Sequence, residues 1–300
     1  MNMKNKIILI VSVLFCFIVN ANAVGAGSAT GEFLNIGVGA KAAALGGAMT
    51  ARAEGTDAMY WNPAGLVGMK IPEASFSHTI WMLETSHTSA GFALPLGERA
   101  AVGILVNYFS SGTMDKVDNT GLSAGTFSAS DLSAAVCLSA KLTDNIPAGI
   151  SVKFISSAID DVTGTAFAAD LGVQYIVSSD LTLGAGVFNL GTNLKHSIVE
   201  EALPMNIKGG ILLKLLGASL SADAILPSAG SFGFSTGAEY VLSISSDSSI
   251  AARAGYSSAV SVGGLSAGAG FAIGNLSLDY AFLMFGDLGN NHRLSIKIKI

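Results

Sequence analysis

Apolar and polar residues alternate along most of this chain, from about residue 74 to the last residue. In the closing segment, 292–300, every even-numbered residue from Leu294 to Ile300 is apolar, and every odd-numbered residue from Arg293 to Lys299 is polar. Segments 275–285 and 231–242 show the same alternation. Because successive residues of a strand point to opposite faces, this pattern predicts β-strands with one apolar and one polar face.

Turn residues divide the alternating region into about fourteen segments. An even number of such strands, apolar outside and polar inside, is typical of bacterial outer-membrane barrels. The longer connections at 110–125 and 190–203 are predicted to be outside loops. The predicted strands are 73–81, 86–95, 99–109, 126–142, 147–158, 164–177, 181–189, 204–214, 217–226, 231–242, 249–257, 262–273, 275–285 and 291–300.

The composition favours a membrane protein without a spanning helix. Half of the residues are hydrophobic and only 12% are charged, against about 25% in ordinary soluble domains. After residue 23 no run of eighteen apolar residues occurs, so no transmembrane helix is predicted. Only helices and closed barrels satisfy every backbone group in lipid. The predicted fold is therefore an antiparallel outer-membrane β-barrel of about fourteen strands with an N-terminal helical and turn segment as a plug in the lumen.

Residues 1–23 have the features of a cleavable signal peptide. Lys4 and Lys6 precede the apolar run 7–19, and Ala21-Asn22-Ala23 forms a cleavage site. An uncleaved N-terminal anchor is the alternative. The predicted organisation is a signal peptide at 1–23, a plug segment at 24–72 and a barrel at 73–300, with the bacterial outer membrane as the location.

The charge balance narrows the choice of partners. Loss of Lys4 and Lys6 leaves 14 basic residues against 21 acidic ones, a formal charge of −7. This balance argues against a nucleic-acid partner, because phosphate binding needs clustered Lys and Arg. Outer-membrane lipid is the predicted surrounding. Cys137 is the single cysteine after residue 23 and cannot form an internal disulfide.

Residues 33–66 are the one long stretch after the signal peptide that indicates helix and turn. Ala, Gly and Leu dominate residues 40–53, although Gly46 and Gly47 weaken the helix there. Pro63 and Gly65 predict a tight turn after Asn62. Such small side chains suit a segment pressed against other backbone, so we predict that it fills the lumen.

The alternation also predicts which charged residues point into the barrel. Charges inside a barrel must be paired or hydrated. The favoured interpretation is a paired network that stiffens the wall and holds the plug, and a conduction path remains the alternative. The predicted lumen-lining charges are Arg99, Asp131, Lys153, Asp170, Asp223, Glu239, Arg253, Asp279 and Arg293.

The chain offers little enzyme chemistry. Its four histidines have no H-x-x-x-H spacing and no C-x-x-C pattern occurs, so no metal site, cofactor or catalytic residue is predicted. A Ser–His pair meeting in space is the alternative. Tyr108, Phe109 and other aromatic residues are predicted to form interface girdles. Asn62 is hypothesised to tie the plug to the wall with Trp61 packed against lumen residues, and a ligand contact is the alternative.

Several blocks of the sequence carry a family resemblance. They are Phe33–Ala42, Leu45–Ala48, Asp57–Leu66, Phe188–Gly191, Arg253–Tyr256 and His292–Ser295. Together they resemble the PorV/PorQ family of outer-membrane barrels, which belongs to the FadL-like group. The resemblance implies a fourteen-stranded barrel with the N-terminal segment folded into the lumen. The plug residues it implies are Asn35, Gly37, Gly39, Gly46, Gly47, Asp57, Tyr60, Trp61, Asn62, Pro63 and Gly65.

The resemblance leaves two functions open. FadL-like proteins are associated with transport of hydrophobic small molecules across the outer membrane, which is the favoured expectation, with a hydrophobic ligand as partner. PorV-like proteins are associated with type IX protein secretion, where they bind exported cargo proteins at the cell surface. A purely structural barrel is a third possibility. One departure is the C-terminal residue, Ile300, where many outer-membrane barrels have an aromatic residue.

Overall fold

The structure is a computed structural model, and it describes residues 30–80, 85–197, 199–258, 264–284 and 289–300. The predicted signal peptide and the first residues of the plug segment lie outside the described residues. So do Trp81, Phe285 and residues 262–263, which were predicted at strand ends.

Fourteen antiparallel strands close into a barrel, as predicted. Each strand pairs with its neighbour in the chain, except that β7 pairs with β10 and the last strand closes on the first. Two short strands, β8 (Leu194–His196) and β9 (Val199–Glu201), form a separate hairpin. The barrel strands are β1 (Glu73–Ile80), β2 (Ser86–Pro95), β3 (Ala100–Val117), β4 (Ser123–Thr143), β5 (Ile146–Ile159), β6 (Val162–Ser178), β7 (Leu181–Gly191), β10 (Asn206–Leu215), β11 (Ala218–Pro227), β12 (Gly233–Ser243), β13 (Ser248–Ser257), β14 (Gly264–Ile273), β15 (Leu276–Met284) and β16 (Asn290–Lys299).

The two faces of the wall differ as the alternation predicted. On β3, Ile104, Val106 and Tyr108 point outward and are exposed, whereas Ala101 and Leu105 point inward and are buried. An exposed apolar band around a closed barrel is the surface that a bilayer covers.

The two ends of the barrel are different. We call the end where β1 begins and β16 finishes the lower end; its turns are 96–99, 144–145, 179–180, 216–217, 244–247 and 274–275. The opposite, upper end carries the connection from β7 to β10, which contains the β8–β9 hairpin. It also carries the joined ends of β3 and β4.

The prediction of an outside loop at 110–125 is wrong, because strands occupy most of this segment. β3 and β4 run past their neighbours, because β2 pairs with β3 only to Ser110 and β5 pairs with β4 only to Ala129. Residues 111–128 therefore form a two-stranded ribbon above the wall. Its pairing is irregular near Gly112 and Gly125, which have positive φ angles of 70° and 101°. The predicted loop at 190–203 contains the β8–β9 hairpin.

Residues 30–72 run through the lumen from the upper to the lower end, and we call them the plug. Thr30 donates a backbone hydrogen bond to Ala202 O at the upper end (3.2 Å). The α-helices are short, at Ala40–Ala44 (α1) and Ala58–Trp61 (α2), and 3₁₀ turns occupy Glu32–Asn35, Gly55–Asp57 and Pro63–Gly68. Gly46 and Gly47, with φ of 64° and 76°, turn the chain away from the helical path just after α1. Among the described residues, no helix is long and apolar enough to cross a membrane.

Candidate functional site

The plug meets the wall where the inner face has no side chain. A Cβ placed on Gly237 would lie 2.6 Å from Leu45 O, and one on Gly149 would lie 2.5 Å from the carbonyl carbon of Pro63. Gly46 belongs to the same interface from the plug side, since a Cβ there would lie 2.6 Å from Tyr256 O. Backbone thus packs on backbone around much of the lumen. We call the inward-facing wall glycines that contact the plug the glycine belt: Gly91, Gly103, Gly149, Gly172, Gly184, Gly210, Gly237, Gly255 and Gly268.

Asn62 joins three parts of this interface. Its Nδ2 donates to Thr50 O in the plug (2.7 Å) and to Val173 O on β6 (3.2 Å), and its Oδ1 accepts from Ala64 N (3.1 Å). The last bond caps the 3₁₀ turn that Pro63 begins. Gly65 is needed in that turn, because a Cβ there would collide with Ala53 O. Asn62 thus hydrogen-bonds to both the plug and the wall.

Trp61 and Tyr60 organise the first residues of the plug. Trp61 Nε1 donates to Val38 O (2.9 Å), and the indole packs on Gly37 and Gly47, where a Cβ would lie 2.8 and 3.1 Å from it. Lys208 Nζ on β10 lies 5.4 Å from the centre of the Trp61 ring. The Tyr60 hydroxyl donates to Leu34 O (2.6 Å) and accepts from Gly37 N (3.0 Å).

Burial raises the pKa of Tyr60 above its ordinary value. The hydroxyl, which is protonated at neutral pH in any case, therefore remains able to donate to Leu34 O at more alkaline pH as well. Asn35, one residue further along, is exposed, and its Oδ1 accepts from Asn206 Nδ2 on β10 (2.9 Å). These bonds fix the path of the chain between residues 34 and 37.

Arg293 holds the same stretch from the opposite wall. Its side chain is 1% exposed, and it donates to Ile36 O and Gly37 O (3.1 Å each) and to Thr79 Oγ1 (2.7 Å). Next to it, Lys297 pairs with Asp57 in the plug (2.6 Å). A Cβ on Gly39 would lie 2.9 Å from Asp57 Oδ1, so this carboxylate also fits against bare backbone.

Asp223 on β11 accepts three hydrogen bonds from the plug. Its Oδ2 accepts from Met49 N (2.9 Å), Thr50 N (2.8 Å) and Thr50 Oγ1 (2.7 Å). Bonds to a charged group are worth more than neutral ones, and this carboxylate is buried. The turn at 49–50 is therefore fixed to the wall.

At the lower end the predicted lumen charges form a paired network. Arg253 bridges Glu239 and Asp279 at 2.6 Å each, and Arg52 of the plug also pairs with Glu239. Lys41 of the plug pairs with Glu54 (2.6 Å) and holds the pKa of that carboxyl at about 2. Lys41, Glu54, Glu239, Arg253 and Asp279 line a cavity of about 760 Å³ between the plug and strands β12–β16, which we call the charged cavity.

The remaining predicted charges lie on β4, β5 and β6. Lys153 pairs with Asp170 (2.7 Å) and donates to Asn189, while Asp170 Oδ1 accepts from Asn189 N (2.7 Å). These bonds replace ladder bonds where the β6–β7 register shifts and Asn189 has a φ of 58°. Asp131 shares the inner face of β4 with Ser133 and is half-buried near the upper end.

Two predictions about orientation are wrong. Arg99 lies in the turn between β2 and β3, where it is exposed and 3.9 Å from Asp144, so it does not line the lumen. The alternation extended the strand one residue too far, into the turn that begins after Pro95. Phe109 points inward rather than into a girdle, because it shares the face of Leu105 and Asn107 on β3.

Part of the inner face at the upper end is apolar, which the alternation did not predict. Phe109 and Ile36 pack against a buried group contributed by the plug, the wall and the β8–β9 hairpin. Only Phe109 and Ile155, large apolar residues on faces predicted to be polar, could have signalled it. We call this group the apolar cluster: Phe33, Leu34, Ile155, Ala166, Ala168, Leu194 and Leu203, with Ile36 and Phe109 at its edge.

This arrangement supports binding and gating chemistry. In the parts of the chain that the structure describes, no three metal-ligating side chains come together. The site instead consists of a plug packed backbone to backbone on the wall, a charged cavity below it and a buried apolar cluster above it.

Comparison with known proteins identifies solved structures that share this fold. No family model matches the chain, and no curated protein sequence matches it either. Solved structures do: the Ralstonia pickettii toluene transporter TbuX is 16% identical with a TM-score of 0.63, covering 88% of this chain and 98% of its own. The Pseudomonas putida toluene transporter TodX is 11% identical with a TM-score of 0.65, covering 88% and 99%. A Pseudomonas aeruginosa FadL homologue is 11% identical with a TM-score of 0.57, covering 93% and 100%. The chain therefore has the fold of FadL-type barrels.

Proposed function

We propose that this protein is an outer-membrane channel for apolar small molecules, closed here by its own N-terminal segment. The apolar cluster carries the proposal: a barrel for polar solutes would present a polar inner surface at its mouth. A lumen filled by a plug also argues against an open, water-filled pore. Among the structural neighbours are toluene transporters and a monoaromatic hydrocarbon channel, which supports the same class of cargo.

The orientation follows from the two ends. Outer-membrane barrels have short turns on the periplasmic side and longer connections outside. The lower end, with its turns of two to four residues, is then periplasmic, and the upper end faces the exterior. An apolar molecule arriving from outside would meet the apolar cluster before the plug and the charged cavity.

Uptake by whole cells tests the proposal. Cells that express the protein should take up labelled toluene faster than cells that lack it, at equal expression of other barrels. A charge in the apolar cluster, Ala166→Asp, should remove most of the gain. Leu216→Asp is the matched control, since that residue is 93% exposed in a lower-end turn. No gain over cells without the protein would contradict the proposal.

The ribbon favours a second candidate function. Residues 111–128 stand above the wall and expose Val117 and Leu122. Such a projection suits contact with a protein, which agrees with the resemblance to the PorV/PorQ family and with binding of exported cargo. Replacing residues 113–126 by a tight turn should then abolish cargo capture and leave toluene uptake unchanged. If uptake falls and no secreted protein depends on the ribbon, the second candidate is wrong.

A further inference from the structure

Two neighbouring polar side chains on the inner face have atoms without hydrogen-bond partners, as do Asn291 on β16 and Asp223 on β11, which stand apart from them. Asn107 on β3 and Ser133 on β4 are paired across the ladder and are 6% and 1% exposed. Within the residues that the structure describes, Asn107 Oδ1 and Ser133 Oγ have no partner.

Such a deficit is unusual for buried polar atoms, most of which are hydrogen-bonded in native proteins. Other inner-face hydroxyls follow the rule: Ser139 Oγ donates to Ala64 O (2.9 Å) and Ser151 Oγ to Met59 O (3.2 Å). Two orphaned atoms on adjacent strands therefore indicate a place where a hydrogen-bonding group from another molecule fits.

The pair lies at the edge of the apolar cluster. Ile155 of the cluster is the ladder partner of Ser133 on β5, and Phe109 follows Asn107 by two residues on the same face of β3. A molecule bound to the cluster can thus reach the pair with a polar group while its apolar part covers Ile155.

The charges nearby disfavour an anionic group. Asp131 shares the inner face of β4 with Ser133, two residues away. The closest cation on the adjoining strand, Lys153, already pairs with Asp170 at 2.7 Å. A carboxylate at the pair would face the carboxylate of Asp131, whereas a neutral donor would satisfy Asn107 Oδ1.

We propose that the apolar cluster and the Asn107–Ser133 pair together bind an apolar molecule that carries one uncharged hydrogen-bonding group, such as a hydroxyl. The hydroxyl donates to Asn107 Oδ1 and accepts from Ser133 Oγ. Phe33 and Leu34 occupy the cluster in the closed protein, so the ligand takes their place when the start of the plug shifts. This inference rests on the proposed function and names its substrate class.

Three probes with the same chain length test it: octane, 1-octanol and octanoate. Binding of the two volatile probes to the detergent-purified protein is measured by vapour depletion against empty micelles, and that of octanoate by equilibrium dialysis. Two added hydrogen bonds should make 1-octanol bind about tenfold tighter than octane. Octanoate should bind more weakly than 1-octanol.

Variants test whether the preference for 1-octanol over octane depends on the Asn107–Ser133 pair. Asn107→Leu and Ser133→Ala, alone and together, should bring 1-octanol down to the affinity of octane and leave octane unchanged. Asn119→Leu and Ser123→Ala make the same chemical changes at exposed positions of the ribbon and should change nothing. Heat-modifiable migration on a gel checks that each barrel has folded, and Ser133→Ala alone suffices if Asn107→Leu does not fold.

The outcomes separate the two proposals. Equal binding of octane and 1-octanol overturns this inference and leaves the proposed function standing. Preferred binding of octanoate, or variants that bind 1-octanol like the parent protein, also overturns it. If none of the three probes binds, the proposed function itself fails.

Discussion

The two ends of the lumen hold the same plug by different physics. At the lower end, charged side chains of the plug and the wall pair around a cavity of about 760 Å³. At the upper end, Phe33 and Leu34 of the plug pack with the apolar cluster and the β8–β9 hairpin. Paired charges are directional and need exact partners, whereas apolar contacts are non-directional and can be exchanged for another apolar molecule. The upper contact of the plug is therefore the exchangeable one, and four substitutions test this difference between the two ends.

The largest effect should come from the glycine belt, which separates the two ends. In Gly255→Leu the new side chain meets the plug backbone at Leu45 and Gly46. Backbone cannot move aside as a side chain can, so we expect the plug to leave the lumen and both ends to lose their contacts. Limited proteolysis should cut residues 30–72 rapidly while the barrel survives.

Gly209→Leu is the control for that change, because a Cβ on Gly209 meets nothing within 4 Å. Its proteolysis pattern should equal that of the parent protein. Equal protection of the plug in both variants would show that the belt does not position it.

Removing the Arg253 ion pairs at the lower end should have the next largest effect, a loss in the free energy of unfolding. Arg253→Met leaves Glu239 and Asp279 buried without their shared partner. Removal of one member of a buried ion pair costs about 3–5 kcal/mol. Denaturant unfolding should show a loss of this order.

Lys116→Met is the matched control, since it breaks an exposed ion pair with Asp160. That pair should contribute no more than about 1 kcal/mol. If both variants lose the same small amount, the charged end does not hold the plug.

A charge in the apolar cluster at the upper end should lower the free energy of unfolding by a smaller amount. Leu194→Asp replaces a side chain that is 1% exposed in the cluster. The hairpin can swing into solvent with its new charge, so the loss is limited to about 1.5–3 kcal/mol of apolar burial. Amide exchange should rise in residues 192–205 and stay unchanged on β12–β16. Faster exchange throughout the barrel would contradict a local role.

The smallest effect concerns Lys41 and Glu54. Lys41 lowers the pKa of Glu54 from 4.5 to about 2, so this pair adds stability above pH 4.5 that is lost as the pH falls towards 2. The Glu54 side chain is 67% exposed, which limits the contribution to a few tenths of a kcal/mol. Lys41→Met should have a slightly lower melting temperature than the parent protein at pH 7. The difference between the two melting temperatures should disappear near pH 2. Lys70→Met, an exposed lysine of the same cavity, should show no such pH dependence.

The wall was predictable because a strand has a period of two. Asp170, Asp223 and Glu239 point inward as the alternation indicated. Arg99 was misassigned because alternation does not mark where a strand ends. The sequence predicts a loop in place of the ribbon, because the ribbon is rich in Gly and Ser, which are common in turns.

The interior was less predictable. Glycines such as Gly149 and Gly237 act in the belt through the side chain they lack, and a sequence does not distinguish them from turn glycines. The apolar cluster joins Phe33, Ile155 and Leu194, which are far apart in the chain. Only the closed barrel brings them together. The tie made by Asn62 was foreseeable from its turn, but its partner Val173 was not.

The most direct measurement compares toluene uptake when the plug is free with uptake when a disulfide links the plug to the wall. In a Cys137→Ser background, Thr50→Cys and Gly210→Cys place two Cβ atoms about 3.0 Å apart, slightly closer than the roughly 3.5–4.5 Å of a disulfide. A Cβ on Gly210 also collides with Asp223 Oδ1, so the Gly210→Cys single variant must first show the plug protection and the uptake gain of the parent protein. Labelled toluene uptake is compared in cells before oxidation, after oxidation and after reduction, with each single-cysteine variant as control. The account predicts that oxidation abolishes the uptake gain in the double variant alone and that reduction restores it. Undiminished uptake with the disulfide formed would contradict a plug that must move for apolar molecules to pass.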